Sequence, residues 1–229
     1  MTGAPHLSDP DDALMWETFN RFHYLCDTHR FQKLMARADL VRGVADVPGD
    51  IVDAGTFKGV STIQMAHFLK IYQPHGKAKV VSFDTFEAKF PRVREDEAKS
   101  AERHSKLFEE SAYEQISEAI ERLDLAARVE MVKGDITQTL PDYLDERPGF
   151  RISLLHCDLD VYAATKNLLE AAWPRVVVGG MVVFDQYAVD AWGESDAADE
   201  FLAGLEHPPK LRMFERTPTP TAYLVKDRP

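Results

Sequence analysis

Five short runs of β-branched and aliphatic residues recur along the chain: Ile51-Val52, Val80-Val81-Ser82-Phe83, Val129-Glu130-Met131-Val132, Ile152-Ser153-Leu154-Leu155 and Met181-Val182-Val183-Phe184. Longer amphipathic segments separate them. Strands spaced by helices cannot pair as hairpins, so they are expected to lie side by side in a parallel sheet with helices on its faces. After Asp185 the pattern changes. A short helical stretch from about Ala197 to Leu205 leads to Leu211-Arg212-Met213-Phe214, then Pro218 and Pro220, then Ala222-Tyr223-Leu224-Val225. Two runs with a short connection predict an antiparallel hairpin. The expected fold is therefore α/β and Rossmann-like, a mainly parallel sheet finished by an antiparallel C-terminal hairpin.

Two segments flank this frame. From Ser8 to about Arg42 the spacing is helical: Ser8 and Asp9 offer N-cap oxygens, Pro10 suits a first turn, and Leu14, Phe19, Phe22 and Leu25 recur at helical intervals. Pro48-Gly49 ends this N-terminal extension, residues 1–48. Residues 90–123, rich in Glu, Lys and Ala, read as a helical insertion after the second strand, either a lid or a solvated helical face. The N-terminal helices are also a candidate surface for a homo-oligomer. At 229 residues a single domain and a single core are expected, burying roughly 70% of the unfolded chain's surface.

Composition narrows the partners. A net charge of −11, from 38 acidic and 27 basic residues, repels phosphate backbones and anionic lipid, which argues against nucleic-acid and membrane partners. No stretch approaches the ~18 apolar residues of a membrane span. The first residues, Met1-Thr2-Gly3-Ala4-Pro5-His6, carry neither a basic segment nor an apolar run. The two cysteines, Cys26 and Cys157, are far apart and fit a reducing compartment. A cytoplasmic protein is expected.

The first strand runs into Asp53-Ala54-Gly55-Thr56-Phe57-Lys58-Gly59-Val60-Ser61. Gly55 suits a tight turn and Gly59 a close approach of backbone to ligand, and the following helix start offers free N–H groups. Asp53, Gly55, Thr56, Gly59 and Ser61 are thus candidate cofactor-binding residues. The spacing is G-x-x-x-G rather than the G-x-G-x-x-G of dinucleotide sites, which disfavours a nicotinamide dehydrogenase, and packing alone can also explain it. The second strand ends at Asp84-Thr85, an acid able to accept both hydroxyls of a ribose. The third ends at Gly134-Asp135, an acid suited to an adenine amino group. Each acid alone reads equally as a turn or a helix cap; three in succession point to an adenosine site. Asp158, Asp160 and Asp185 follow the fourth and fifth strands. Converging carboxylates repel unless a cation compensates, which points to a hard divalent ion, Mg2+ by preference. An ion on a substrate hydroxyl lowers its pKa, and a neighbouring carboxylate can then take the proton.

The elements Asp158-Leu159-Asp160-Val161-Tyr162-Ala163-Ala164-Thr165, Trp173-Pro174, Gly179-Gly180 and Phe184-Asp185-Gln186-Tyr187 resemble the macrocin O-methyltransferases, which methylate sugars of antibiotics and related natural products. The likeness runs from about Asp50 to Tyr187. It implies the class I methyltransferase fold, S-adenosylmethionine as methyl donor and a small-molecule acceptor. It also implies a metal held by Asp158, Asp185 and the residue after it, with Asp160 as general base and Asp158 bordering the cofactor. Where the family has a second consecutive acid, this chain has Gln186, whose carbonyl can still ligate but brings no charge. A metal-independent methyltransferase and an inactive cofactor-binding relative remain alternatives. His156 reads as a base or a satisfied core histidine, Cys157 as a small buried residue, and Tyr162 and Tyr187 as acceptor contacts or packing.

Overall fold

A computed structural model describes residues 10–87, 89–106, 112–215 and 217–229. Ser8 and Asp9, the expected N-cap pair, lie outside the described residues. The elements in chain order are α1 (Pro10–Leu25), α2 (Thr28–Gly43), β1 (Asp50–Ala54), α3 (Val60–Tyr72), β2 (Val80–Asp84), α4 (Ala98–Ser105), α5 (Tyr113–Arg122), β3 (Val129–Lys133), α6 (Ile136–Glu146), β4 (Ile152–Cys157), α7 (Tyr162–Ala172), β5 (Val176–Phe184), α8 (Glu194–Ala203), β6 (Arg212–Met213) and β7 (Ala222–Val225). Among the described residues no helix is long and apolar enough to cross a membrane.

The sheet has seven strands in the order β3-β2-β1-β4-β5-β7-β6. β1 to β5 are parallel, and β7 inserts antiparallel between β5 and β6. Strand order reverses between β1 and β4, so a crevice opens at their carboxyl ends, where open α/β sheets bind ligands. Ile51 and Val52 of β1 and Leu154 and Leu155 of β4 are fully buried, as expected of strands covered on both faces. One apolar layer joins β-strand side chains to α6 and α7, and the other joins them to α2, α3 and α5.

Three details refine the sequence expectation. β5 starts at Val176, five residues before Met181, because Gly179 at φ +87° and Gly180 continue the strand through an irregularity. A Cβ on Gly180 would lie 2.9 Å from Val177 O and 3.1 Å from Ile152 O, so the absent side chain is what admits the neighbouring strand. The N-terminal helical stretch is two helices, divided at Cys26-Asp27, because Asp27 Oδ1 accepts the Arg30 N–H at 3.1 Å and caps α2. α2 packs on α3 through Leu40 and Val41, whereas Leu14, Phe19 and Leu25 of α1 are exposed. Within residues 90–123, α5 buries Ile116 and Ile120 in the core, so its inner face is structural.

Candidate active site

β1 ends in a turn that requires glycine. Gly55 has φ +91°, and a Cβ there would sit 1.8 Å from the Asp158 carbonyl oxygen. The close approach is locked by Gly55 N donating to Phe83 O at 3.0 Å and Asp158 N donating to Ala54 O at 2.8 Å. The carboxyl ends of β1, β2 and β4 are thereby drawn together around a cavity of about 310 Å³. Gly55, Asp84, Thr85, Gly134, Asp135, Asp158, Asp160, Asp185 and Gln186 all line it.

Asp53, Thr56, Gly59 and Ser61 do not line the cavity. Asp53 is fully buried, with Oδ2 accepting from Ser61 Oγ at 2.7 Å and Thr62 Oγ1 at 2.6 Å, and Oδ1 2.8 Å from His156 Nδ1. Burial would raise its pKa, but these partners outweigh it and hold the carboxylate below its ordinary range. It pins the start of α3 and the end of β4 to β1. Thr56 is buried, its carbonyl accepting from Gly59 N at 2.9 Å. Gly59, at φ +77°, is the N-cap of α3, and a Cβ would meet Ile116 Cγ1 at 2.7 Å. Its missing side chain makes room for Ile116 of α5.

At the opposite wall, Asp84 Oδ2 accepts from Phe57 N and Oδ1 from Phe86 N, both at 2.7 Å, so the acid also braces the glycine loop. Burial raises its pKa. Thr85 Oγ1 donates to Glu87 O at 2.9 Å. Gly134, at φ +143°, donates to Asp84 O at 2.9 Å. Asp135 caps α6 through Thr137 N at 2.9 Å, and its second oxygen faces Arg92 Nε at 3.4 Å.

The acids after β4 and β5 form the other half. Asp160 has φ +64° and lies in a turn closed by Val161 N donating to Leu159 O at 2.6 Å. A non-glycine residue in this region costs of order 1–3 kcal/mol and persists where surrounding structure imposes it, often at functional sites. Burial, with Asp158 and Asp185 nearby, holds the Asp160 carboxyl well above the usual range. Burial and the neighbouring Asp185 push Asp158 up to about 7. Asp185 is 1% exposed; Oδ2 accepts from Lys33 Nζ at 3.1 Å, and among the described residues Oδ1 has no hydrogen-bond partner. Asp160 Oδ1 and His156 Nε2 are likewise buried without one. Ligand atoms of His156, Asp158 and Asp185 all lie within 4.8 Å of one another. These orphaned, converging donors fit a divalent cation.

Several residues were not legible in advance. Lys33 reaches the site from α2, 152 positions away; the spacing of Arg30 and Lys33, both lining the cavity, was the only signal. Glu194 is fully buried and accepts Gln186 N at 2.7 Å. Glu97 accepts N–H groups of Arg94, Tyr162 and Gly193 at 2.7–3.0 Å, tying three loops together. Phe90 and His104 line the cavity and meet edge to face at 5.2 Å, with Trp192 beside them. Tyr162 packs under the Arg94 guanidinium at 4.6 Å, and the Tyr187 hydroxyl donates to Asp199 at 2.7 Å.

The family model of macrocin-O-methyltransferase (TylF) matches residues 17–206. The 8-demethyl-8-(2,3-dimethoxy-alpha-L-rhamnosyl)-tetracenomycin-C 4'-O-methyltransferase of Streptomyces olivaceus is 32% identical over 63% of this chain and 55% of its own length. Mycinamicin III 3''-O-methyltransferase of Micromonospora griseorubida is 28% identical over 65% of this chain and 59% of its own length. The chain thus spans less than two thirds of these relatives. The crystal structure of CalS11, a calicheamicin methyltransferase, superposes with a TM-score of 0.75 at 27% identity, covering 98% of both chains. The fold is that of the class I methyltransferases.

Proposed function

Because the chain belongs to the macrocin O-methyltransferase family, we propose that it is an S-adenosylmethionine-dependent O-methyltransferase acting on a hydroxyl of a small molecule, a sugar or a glycosylated natural-product intermediate. The observation that carries this reading is one cavity lined by two sets of residues, Gly55, Asp84 and Asp135 after β1 to β3, and Asp158, Asp160 and Asp185 after β4 and β5. The sugar and glycoside acceptors named for the relatives support the acceptor class.

In this reading Asp84 accepts from the ribose of the donor, while Gly55 leaves backbone space beside it. S-Adenosylmethionine, when bound, supplies an electrophilic methyl group. A divalent ion, Mg2+ in the family-based expectation, would be held by Asp158 and Asp185 with Gln186 beside them, and would supply Lewis acidity toward the acceptor hydroxyl. Asp160 takes the hydroxyl proton as the oxygen bonds to the methyl carbon and the carbon–sulfur bond breaks. Burial and the neighbouring Asp158 and Asp185 raise its pKa, which makes it a stronger proton acceptor than an ordinary carboxylate. Glu194 and Glu97 fix the Gln186 and Tyr162 backbones, keeping the acids in place. Residues 90–106, with Phe90 and His104 against the cavity, serve as the lid that excludes water.

The Lys33–Asp185 ion pair favours a second reading, in which an ammonium takes the cation's place and transfer is metal-independent. Isothermal titration with S-adenosylhomocysteine, with and without Mg2+, tests the cofactor site before any acceptor is known; micromolar binding is expected, and no binding in either condition refutes the methyltransferase reading. Turnover undiminished in EDTA selects the second reading. A fully active Asp160→Asn enzyme removes the base assignment.

A further inference from the structure

Asp53 and His156 are adjacent partners across β1 and β4, fully buried and 2.8 Å apart through Asp53 Oδ1 and His156 Nδ1. The other Asp53 oxygen is filled by Ser61 and Thr62. A carboxylate facing Nδ1 makes that nitrogen the protonated one and leaves a lone pair on Nε2 in the neutral ring. Among the described residues Nε2 has no hydrogen-bond partner and is buried, and a nitrogen of this ring lies within 4.8 Å of carboxylate oxygens of Asp158 and Asp185. A buried carboxylate that orients a histidine through one nitrogen while the other faces oxygen donors is the outer-shell arrangement of histidine metal ligands.

We infer that the divalent ion of this site takes a nitrogen ligand, His156 Nε2, completing a one-histidine, two-carboxylate set with Asp158 and Asp185 that suits a borderline transition ion better than Mg2+. The inference rests on the metal-assisted reading above. Gln186 brings no charge, so the carboxylate pair alone neutralises the ion, and a neutral imidazole adds donor strength without adding repulsion. Nitrogen donors favour first-row transition ions over Mg2+, which demands oxygen and sheds water reluctantly. Lys33 engages only Oδ2 of Asp185 and leaves Oδ1, which has no partner, for the ion. Arg37, the other cation bordering this group, is turned to Gln64 Oε1 at 3.0 Å.

The test uses EDTA-stripped full-length protein loaded with Mn2+ and examined by electron spin-echo envelope modulation, which reads nitrogen bonded to the ion. Modulation from a directly coordinated 14N is expected in the wild type. It should persist in His104→Gln, which removes the histidine that lines the cavity, and vanish in His156→Gln, whose ring lies buried beside it. Competition titrations should show Mn2+ and Co2+ binding at least about tenfold tighter than Mg2+ in the wild type. His156→Gln should lower Co2+ affinity about 10–100-fold while S-adenosylhomocysteine binding persists. Should His156→Gln fail to fold, the wild-type and His104→Gln spectra decide alone. Bound Mn2+ without nitrogen modulation overturns the inference but leaves the metal-assisted reading standing. No bound Mn2+ at all refutes both.

Discussion

Asp158 ties the stability of the metal-free protein to pH, and the sign can be worked from its surroundings. Its ordinary value of 3.8 is raised to about 7, first by burial and second by Asp185. Between these two values the folded chain holds a proton that the unfolded chain has released. Stability therefore falls as pH rises through this window and is greatest at its acid end, the reverse of a salt-bridged carboxylate. At about 1.4 kcal/mol per pH unit the ceiling is about 4 kcal/mol. Lys33 and the shared titration with Asp160 reduce this, and about half, near 2 kcal/mol, is a sound working figure. For a chain of this size that corresponds to about 4–8 °C in Tm. The perturbation is Asp158→Asn, which cannot ionise and also relieves Asp160 and Asp185. Tm would be followed by scanning calorimetry in EDTA from pH 5 to pH 8 for both proteins. Since pH 5 to 8 spans about two thirds of the window, the wild type should lose about 3–5 °C more than the variant over this range. A saturating divalent ion should raise the wild-type Tm more at pH 8 than at pH 5. Parallel Tm curves for the two proteins would refute the claim that Asp158 carries a buried proton.

Gly55→Ala forces a Cβ to within 1.8 Å of the Asp158 carbonyl oxygen; a loss of about 3 kcal/mol or more is expected in urea melts, and native-like stability would show that the β1 turn is looser than drawn. Asp53→Asn leaves His156, Ser61 and Thr62 without their shared acceptor charge and should cost about 3–5 kcal/mol, checked by the same melts. Lys33→Met removes the ammonium from Asp185 and should raise divalent-ion affinity about tenfold by competition titration, while in the second reading it abolishes turnover and leaves ion binding unchanged. The pH–rate profile of the active enzyme should rise through an ionisation above the ordinary carboxylate range, set by Asp160, and Asp160→Asn should remove that limb.

The frame of the fold was legible because period and length alone distinguish β1 to β4 and the C-terminal strands from the helices between them. The misjudged boundaries are where a residue's usual role was overridden by a neighbour. The fifth strand was expected from Met181, yet it begins at Val176 and contains Gly179-Gly180, because the main chain of β4 presses on Gly180. Gly59 reads as a ligand loop, yet its missing side chain makes room for Ile116. In both cases what decides is a contact between segments far apart in the chain, which no local pattern carries.

The site divides the same way. Asp84, Asp135, Asp158, Asp160 and Asp185 were legible because each follows a strand, and the ends of parallel strands share one edge of the sheet. The groups that give those acids their properties were not. Lys33 lies on a helix whose register against β5 depends on its packing on α3, and it reaches Asp185 across 152 positions. The direction of His156 follows from its pairing with Asp53 across β1 and β4, a register that the sequence alone does not print. Asp53 shows the converse: it has the residue type and position of a cofactor ligand, but it is fully buried against Ser61, Thr62 and His156 and does not line the cavity. An acid at a strand end is thus evidence for a site, whereas its chemistry depends on which partners burial forces upon it. That is why the stability slope of Asp158 and the ligation of His156 are the measurements that separate a metal centre from a lysine-balanced one.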